Sequence, residues 1–321
     1  MSQSDSNMLM PSHWESDNFC QIIGAGAVEP RKGFYNSGLL LVVEGRPYLI
    51  DVTPQNWLDF GDWLFHKQAI FLVTHGHMDH FDPEHPWVGI FDPSYANFGL
   101  SKYDDYSVHL YGPQGVIDLL LRINGFDPEL SAVAGDKIEH KRASASYHQL
   151  RRVPDGRMLH LHGVRMNTQV KVGEVACTPF DSLHDWSYPP QPPYHAKGRV
   201  CAGYMIEGGT KRYLYMPDFR IDSEGKLEAS IVQAVKSAGT LDYFIVGCSN
   251  PDDRESKTHH SSPADIYQLY VNLRNRKAIT HRTIVVFTHL NPNWERDDFE
   301  NPGFPEEKLI LAENGKVVYA G

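Results

Sequence analysis

The stretch Phe71-Leu72-Val73-Thr74-His75-Gly76-His77-Met78-Asp79-His80 decides how this chain is read. Three apolar, β-prone residues run into Thr74, and then His75, His77, Asp79 and His80 follow within six positions. A strand ending there delivers a dense set of ligand-type side chains at its carboxyl end. Neutral imidazole and carboxylate donors suit zinc, iron and manganese. His75 and His77 are two apart just past a strand, so they project to one side. Asp79 and His80 follow on the turn and can face a second ion, and Gly76 eases the backbone between. A solvated polar loop is the alternative, but it gives three crowded imidazoles and a carboxylate no purpose.

Working outward, three more residues of the same chemical type end apolar runs. His184 lies in TPFDSLHDW, Asp218 in YLYMPDFR and His289 in TIVVFTHL. Taken singly, each reads as a hydrogen-bonded structural residue. Three with one topology, behind the histidine motif, read as further ligands.

The rest of the chain supplies strands and helices for that site. Phe19–Val28 is a strand entering a glycine turn. Gly24 and Gly26 invite a dinucleotide-loop reading, but no third glycine stands at the fingerprint spacing and Pro30 and Arg31 follow where a helix should begin. A tight turn into the next strand is the better reading. Leu39–Gly45 and Arg46–Val52 form a hairpin around Glu44-Gly45, and Asp51 ends its second strand toward the histidine cluster. A short helix is expected over 54–67, a strand over 107–113 and an amphipathic helix over 114–123. Strand-like pieces recur from 137 to 182, and a second hairpin turns around Gly208-Gly209. Thereafter helix and strand alternate: helix 226–238, strand 242–249, helix 263–276, strand 283–290, a short helix at 305–312 and a last strand at 316–321. Residues 81–107 and the proline-rich 185–199 read as loop insertions that shape a pocket. This order fits two sheets with helices outside, in one domain over 18–321 behind a polar tail at 1–17.

Composition narrows the class. A hydrophobic share of 41% and a charged share of 22% are those of a globular protein. The formal net charge of -10 argues against a nucleic-acid partner, whose binding needs clustered Lys and Arg. No run of about 18 apolar residues is present, so no membrane span is expected. The first residues lack a basic segment followed by an apolar one, so no signal peptide is expected and the location is read as cytoplasmic. Cys20, Cys177, Cys201 and Cys248 form no CxxC pair and read as buried thiols in a reducing compartment.

HxHxDH followed by a lone His, an Asp and a lone His at strand ends resembles the metallo-β-lactamase superfamily. The likeness runs from Phe19 onward and implies an αββα sandwich, an α/β fold of two mixed sheets flanked by helices, with a binuclear site at the sheets' edge. It implies that His75, His77 and His184 hold a first metal, that Asp79, His80 and His289 hold a second, and that Asp218 bridges them. Within the superfamily the chain is most similar to the ribonuclease Z branch, with its cyclic-phosphate phosphodiesterase and pyrroloquinoline quinone biosynthesis B members. GAGAVEPRKGFYNSGLLL, AGYMIEGGTKRYLYMPDFR and Thr258-His259-His260-Ser261-Ser262 carry that likeness. The chain departs from the branch at MPDFR, where a glycine usually precedes the Asp and a Thr follows it. No long arm for gripping transfer RNA is evident, which argues against such a substrate.

The resemblance implies two divalent metal ions, zinc first, with manganese or iron as alternatives. Such a pair, roughly 3.5–4 Å apart, activates a bridging water and clamps the attacking and leaving oxygens. Asp79 can orient that water, and His260, or else His259, can protonate the leaving alkoxide. The bland reading of this pair is an exposed helix start capped by Ser261 or Ser262. Arg220, His195, Lys197 and Arg199 are candidates for gripping an anionic small-molecule substrate, and Trp87, Trp186 and Tyr188 for walling an aromatic pocket. The function expected is a phosphodiesterase acting on a small or cyclic phosphate ester. The rivals are a lactonase or other ester or amide hydrolase, a di-iron oxidase or oxygenase, and a non-catalytic binding protein. A homodimer is compatible with all of them.

Overall fold

The computed structural model describes residues 16–26, 36–51, 63, 67–77, 79–81, 107–117, 132–134, 137–139, 158–185, 200–236, 239–249, 261–290 and 301–320. Two seven-stranded sheets dominate them. The first contains β1 (Phe19–Gly24), β2 (Gly38–Val43), β3 (Arg46–Ile50), β4 (Ile70–Leu72), β5 (Ser107–Pro113), β8 (Met158–Val164) and β16 (Lys316–Ala320), in the order β16-β1-β2-β3-β4-β5-β8. The second contains β9 (Val170–Val172), β10 (Val175–Asp185), β11 (Val200–Gly208), β12 (Lys211–Met216), β13 (Tyr243–Gly247), β14 (Ile284–Thr288) and β15 (Leu309–Leu311), in the order β15-β14-β13-β12-β11-β10-β9. A small separate ribbon pairs β6 (Ala132–Ala134) with β7 (Lys137–Glu139). Helix α1 spans Lys226–Lys236 and α2 spans Pro263–Asn275.

Each sheet changes direction once. β3 is antiparallel to β2 and parallel to β4. β12 is antiparallel to β11 and parallel to β13. The parallel halves send several strand carboxyl ends to one edge, and that edge is where ligands gather in sheets of this kind.

Alternation of side chains makes the layers. On β12, Tyr213 and Tyr215 face the other sheet while Leu214 and Met216 face the helices. β13 repeats this with Tyr243 and Ile245 against Phe244 and Val246. The inner faces meet Ile22, Leu39, Leu41, Ile50 and Leu72 of the first sheet in one core. The outer face of the second sheet packs on Leu227 and Ile231 of α1 and on Ile266, Leu269 and Leu273 of α2 in another. Strands covered on both faces must be apolar throughout, which explains the uninterrupted run IVVFT in β14.

The turns follow their residues. Glu44 and Gly45 take φ of 51° and 74°, the left-handed pair that a two-residue hairpin needs to match strand twist. Ser262 caps α2, accepting from the Asp265 backbone N–H while Asp265 reaches back to the Ser262 N–H.

One expected element differs. Residues 305–312 are not a single short helix. Glu306–Lys308 form one 3₁₀ turn, and Leu309–Leu311 then add β15 in parallel beside Val285–Phe287 of β14. Pairing with an open sheet edge overrides the local preference of EEKLIL. All four cysteines are buried and unbridged, as expected. The helix expected at 114–123 is present over 114–117, its described part. The tail before residue 16, most of the 54–67 helix, and the interiors of both loop insertions with Trp87, Trp186 and Tyr188 lie outside the described residues.

Candidate metal centre

Five segments bring their ends to the edge where both sheets turn parallel. Asp51 follows β3, Thr74 to His80 follow β4, His184 comes from the end of β10, Asp218 follows β12 and His289 follows β14. The loop after β4 is stitched to the second sheet: Ala202 N–H donates to Thr74 O at 2.9 Å, and Tyr204 Oη–H to Val73 O at 2.7 Å.

Unusual backbone presents three of these residues. Asp51 and His289 have φ of 61° and 53°. Leu183, beside His184, has φ of 59°, and its N–H is held by the Asp181 carboxylate at 2.8 Å. Here β10 bulges, placing Ser182, Leu183 and His184 opposite Cys201 alone. The bulge turns His184 out of the sheet and toward the centre. Each left-handed non-glycine residue costs about 1–2 kcal/mol, and three of them gather at this edge.

The side chains converge in two groups. His75, His77, His184 and Asp218 form one, and Asp79, His80 and His289 the other. Within each, one nitrogen or oxygen per residue lies within 4.8 Å of all the rest. Asp218 reaches into both. Its Oδ2 is 3.3 Å from His75 Nε2 and 3.0 Å from His80 Nε2, while its Oδ1 is 3.1 Å from His289 Nε2. Asp79 Oδ2 sits 3.6 Å from His80 Nε2 and 3.8 Å from His289 Nε2. His77 Nδ1 faces His75 Nε2 at 2.9 Å and His184 Nε2 at 3.4 Å.

Hydrogen bonds behind the rings fix which nitrogen faces inward. His80 Nδ1–H donates to Asp51 Oδ2 at 2.9 Å. The Thr74 hydroxyl donates to the Asp51 carboxylate, 3.0 and 3.1 Å from its two oxygens, leaving a lone pair for His75 Nδ1–H at 3.0 Å. Asp51 also accepts from Thr74 N–H at 2.8 Å and from Tyr215 Oη–H at 3.3 Å. One buried carboxylate thus orients a ring in each group, the outer-shell arrangement that supports metal-ligating histidines.

Charge follows burial and neighbours. Burial pushes the His75 imidazole well below its ordinary value, with the charge on His80 acting the same way. Burial likewise takes His77 down to about 4. Burial would lift the Asp79 carboxyl, but His80 and His289 beside it hold it at about 2. Burial also opposes a charge on His80, yet the Asp79 and Asp218 carboxylates outweigh it and raise the ring well above the ordinary range. Carboxylate oxygens and imidazole nitrogens converging in this way are the donor chemistry of a zinc-, manganese- or iron-binding site, where a bound cation would take the place of ring protons facing it, so these residues fit a pair of divalent ions.

No protein-family model and no curated protein sequence matches the chain. Solved structures do. YhfI from Bacillus subtilis, described as a metallo-β-lactamase fold protein, is 15% identical, with a TM-score of 0.59 over 94% of this chain and 98% of its own. The chain has the metallo-β-lactamase fold. Human tRNase Z, short form, shares that fold at 16% identity and a TM-score of 0.57, over 94% of this chain and 99% of its own. A diphosphatase of the PhnP family does so at 15% and 0.56, over 94% and 96%.

On this metallo-β-lactamase fold, all seven side chains singled out as metal ligands come together at one edge. Arg220 lies two residues past Asp218 with its side chain exposed, and its N–H donates to Ser182 O at 3.1 Å. His195, Lys197, Arg199, His259 and His260 lie outside the described residues. Sequence reasoning pointed Asp51 toward the cluster but gave it no role, although a lone acid ending an apolar strand was a usable signal. Thr74 and Ser37, the other residues behind the rings, carried none.

Proposed function

We propose that the chain is a binuclear metal-dependent hydrolase and, within that class, a phosphodiesterase acting on a small or cyclic phosphate ester. The observation that carries the reading is the Asp218 carboxylate, whose two oxygens reach imidazoles of both donor groups. A bridging acid is what a paired-ion site requires. Zinc is the proposed metal, with manganese and iron as alternatives that the same donors accept. Such ions, when bound, supply Lewis-acid charge for phosphoryl oxygens and lower the pKa of a nearby water.

The chain's own residues would do the rest. His75, His77 and His184 hold one side of the centre, Asp79, His80 and His289 the other, and Asp218 joins them. His77 and Asp79 are the half-buried members of a set whose other five are buried. Water and substrate therefore enter beside them. Asp79, ionised at neutral pH, accepts a hydrogen bond from the attacking water and turns its lone pair toward phosphorus. The water oxygen bonds to phosphorus as the P–O bond to the leaving group breaks; the water's proton passes by way of Asp79 to solvent, and the alkoxide takes a proton from His260, or else His259, in the segment just ahead of α2. Arg220, His195, Lys197 and Arg199 are the proposed anion-gripping residues. The diphosphatase and the tRNase on this fold support phosphate-ester chemistry by their names. The net charge of -10 favours a small substrate over a nucleic acid.

The test is reconstitution of metal-free protein with zinc or manganese, assayed on bis(4-nitrophenyl) phosphate beside a lactone panel. Phosphodiester cleavage is expected, with Asp218→Ala losing both metal and rate. Full activity in that variant overturns the metal assignment. Lactone turnover without phosphodiester turnover overturns the substrate class, and two irons with no hydrolysis overturns the reaction class.

A further inference from the structure

His80 and His75 both lean on the Asp51 carboxylate, but His289 leans on something else. Its Nδ1 lies 2.5 Å from the hydroxyl of Ser37, a fully buried residue 252 positions earlier. That hydroxyl donates to Gly26 O at 3.3 Å. With its proton so used, the Ser37 oxygen turns lone pairs to the ring and accepts from Nδ1–H. Nε2 of His289 is then the bare nitrogen, and it faces Asp218 and Asp79.

The backbone around this contact is built as a clasp. Gly26 bridges both Asn36 and Leu290, so the strands carrying Ser37 and His289 meet at one glycine. Leu290 N–H donates to Ala25 O at 2.7 Å, and the Asn314 side chain accepts from Ala25 N–H at 3.0 Å. The turn after β1, which a nucleotide-binding reading would give to phosphates, here grips the far side of a ligand ring. His289 itself sits at φ of 53°, so its ring direction depends on being held from behind.

We infer that Ser37 is a positioning residue for the Asp79–His80–His289 half of the centre. It fixes the Nδ1–H tautomer of His289 and aims Nε2 at the second ion, whereas Asp51 supports His80 directly and His75 through Thr74. His289 therefore has an outer support of its own, which can be loosened while the rings on Asp51 stay held. The inference rests on the proposed metal centre.

The experiment is zinc titration of metal-free wild type and Ser37→Ala, with stoichiometry by elemental analysis and affinity by competition with a chelating dye. Wild type should bind two ions. Ser37→Ala should bind the first unchanged and the second 10–100-fold more weakly, the loss typical when a metal histidine loses its outer partner. In a double-mutant cycle, Ser37→Ala should add nothing to His289→Ala. A general structural role would instead weaken both ions or lower stability alone. Two ions bound by the variant as tightly as by wild type overturns the role of Ser37 and leaves the centre standing. Wild type that binds no ion overturns both. ¹⁵N-histidine NMR of the zinc-loaded wild type tests the tautomer without any change at Ser37. Zinc on Nε2 with the proton on Nδ1 is expected for His289, and zinc on Nδ1 overturns the proposal.

Discussion

Gly247, the last residue of β13, sits against the peptide that carries Asp218. A Cβ built on it would lie 1.6 Å from Pro217 O and 2.6 Å from Pro217 C, both backbone atoms. Real Cβ atoms essentially never approach below 3.0 Å, so in Gly247→Ala the Pro217 peptide must retreat by about 1.4 Å. Asp218 is the next residue, and its carboxylate stands 3.0–3.3 Å from three imidazoles. A retreat of that size breaks those contacts. Overpacking of this kind costs about 1–3 kcal/mol of stability, and misplacing a catalytic group by about 1 Å costs roughly 100-fold in rate. Gly112→Ala is the control, because its nearest neighbours are at 3.5 Å or beyond, an ordinary contact. Denaturant unfolding, bound zinc per chain and phosphodiester turnover should be compared for the two variants. Gly247→Ala should lose stability, metal and rate together, while Gly112→Ala keeps metal and rate. A Gly247→Ala protein with two ions and wild-type turnover would refute the link between this glycine and Asp218.

Two further outcomes follow from groups already placed. Asp51→Asn keeps the volume but puts an amide where four donors point, so zinc affinity should fall about 10–100-fold at each half of the centre, read by competition titration. Retention of both ions at wild-type affinity would show that the rings need no carboxylate behind them. Away from the site, the Asp222 carboxylate accepts from Leu227, Lys226 and Glu224 N–H at 2.9–3.0 Å and caps the start of α1. Slight burial pulls the other way, but those N–H groups hold its carboxyl below the ordinary range. Its folded pKa is depressed, so its contribution is present above about pH 4 and fades as pH falls through the lower folded value. Asp222→Ala should cost about 1 kcal/mol at pH 7, and the gap to wild type should narrow below about pH 4 in urea unfolding. A gap that widens on acidification would contradict this sign.

What could be read from the residues was whatever is local and dense. The HxHxDH stretch declares itself in six positions, and a polar residue ending an uninterrupted apolar strand, as His289 does after IVVFT, needs no partner to be noticed. The hairpin at Glu44-Gly45 and the N-cap of α2 were legible for the same reason. Long-range pairing was not. Residues 305–312 look helical until β14 offers an edge, and the β10 bulge that aims His184 exists only against Cys201 on a neighbouring strand. The supports behind the rings are the extreme case. Ser37 is one serine among many until the fold sets it against a histidine 252 residues away.

The two strands at the end of the described chain have a consequence for how the protein is made. β15 completes the far edge of one sheet beside β14, and five residues later β16 completes the far edge of the other beside β1. During synthesis neither sheet reaches full width until residues 309–320 have left the ribosome. Until then β1 and β14 stand with unpaired N–H and C=O groups along apolar strands, the kind of edge that recruits other chains. The centre's last ligand, His289, emerges only shortly before. Pairing of β1 and β14 and ligand completion thus fall in one late interval of translation, and a chain broken off before residue 309 would leave both of these apolar strands as edges at once.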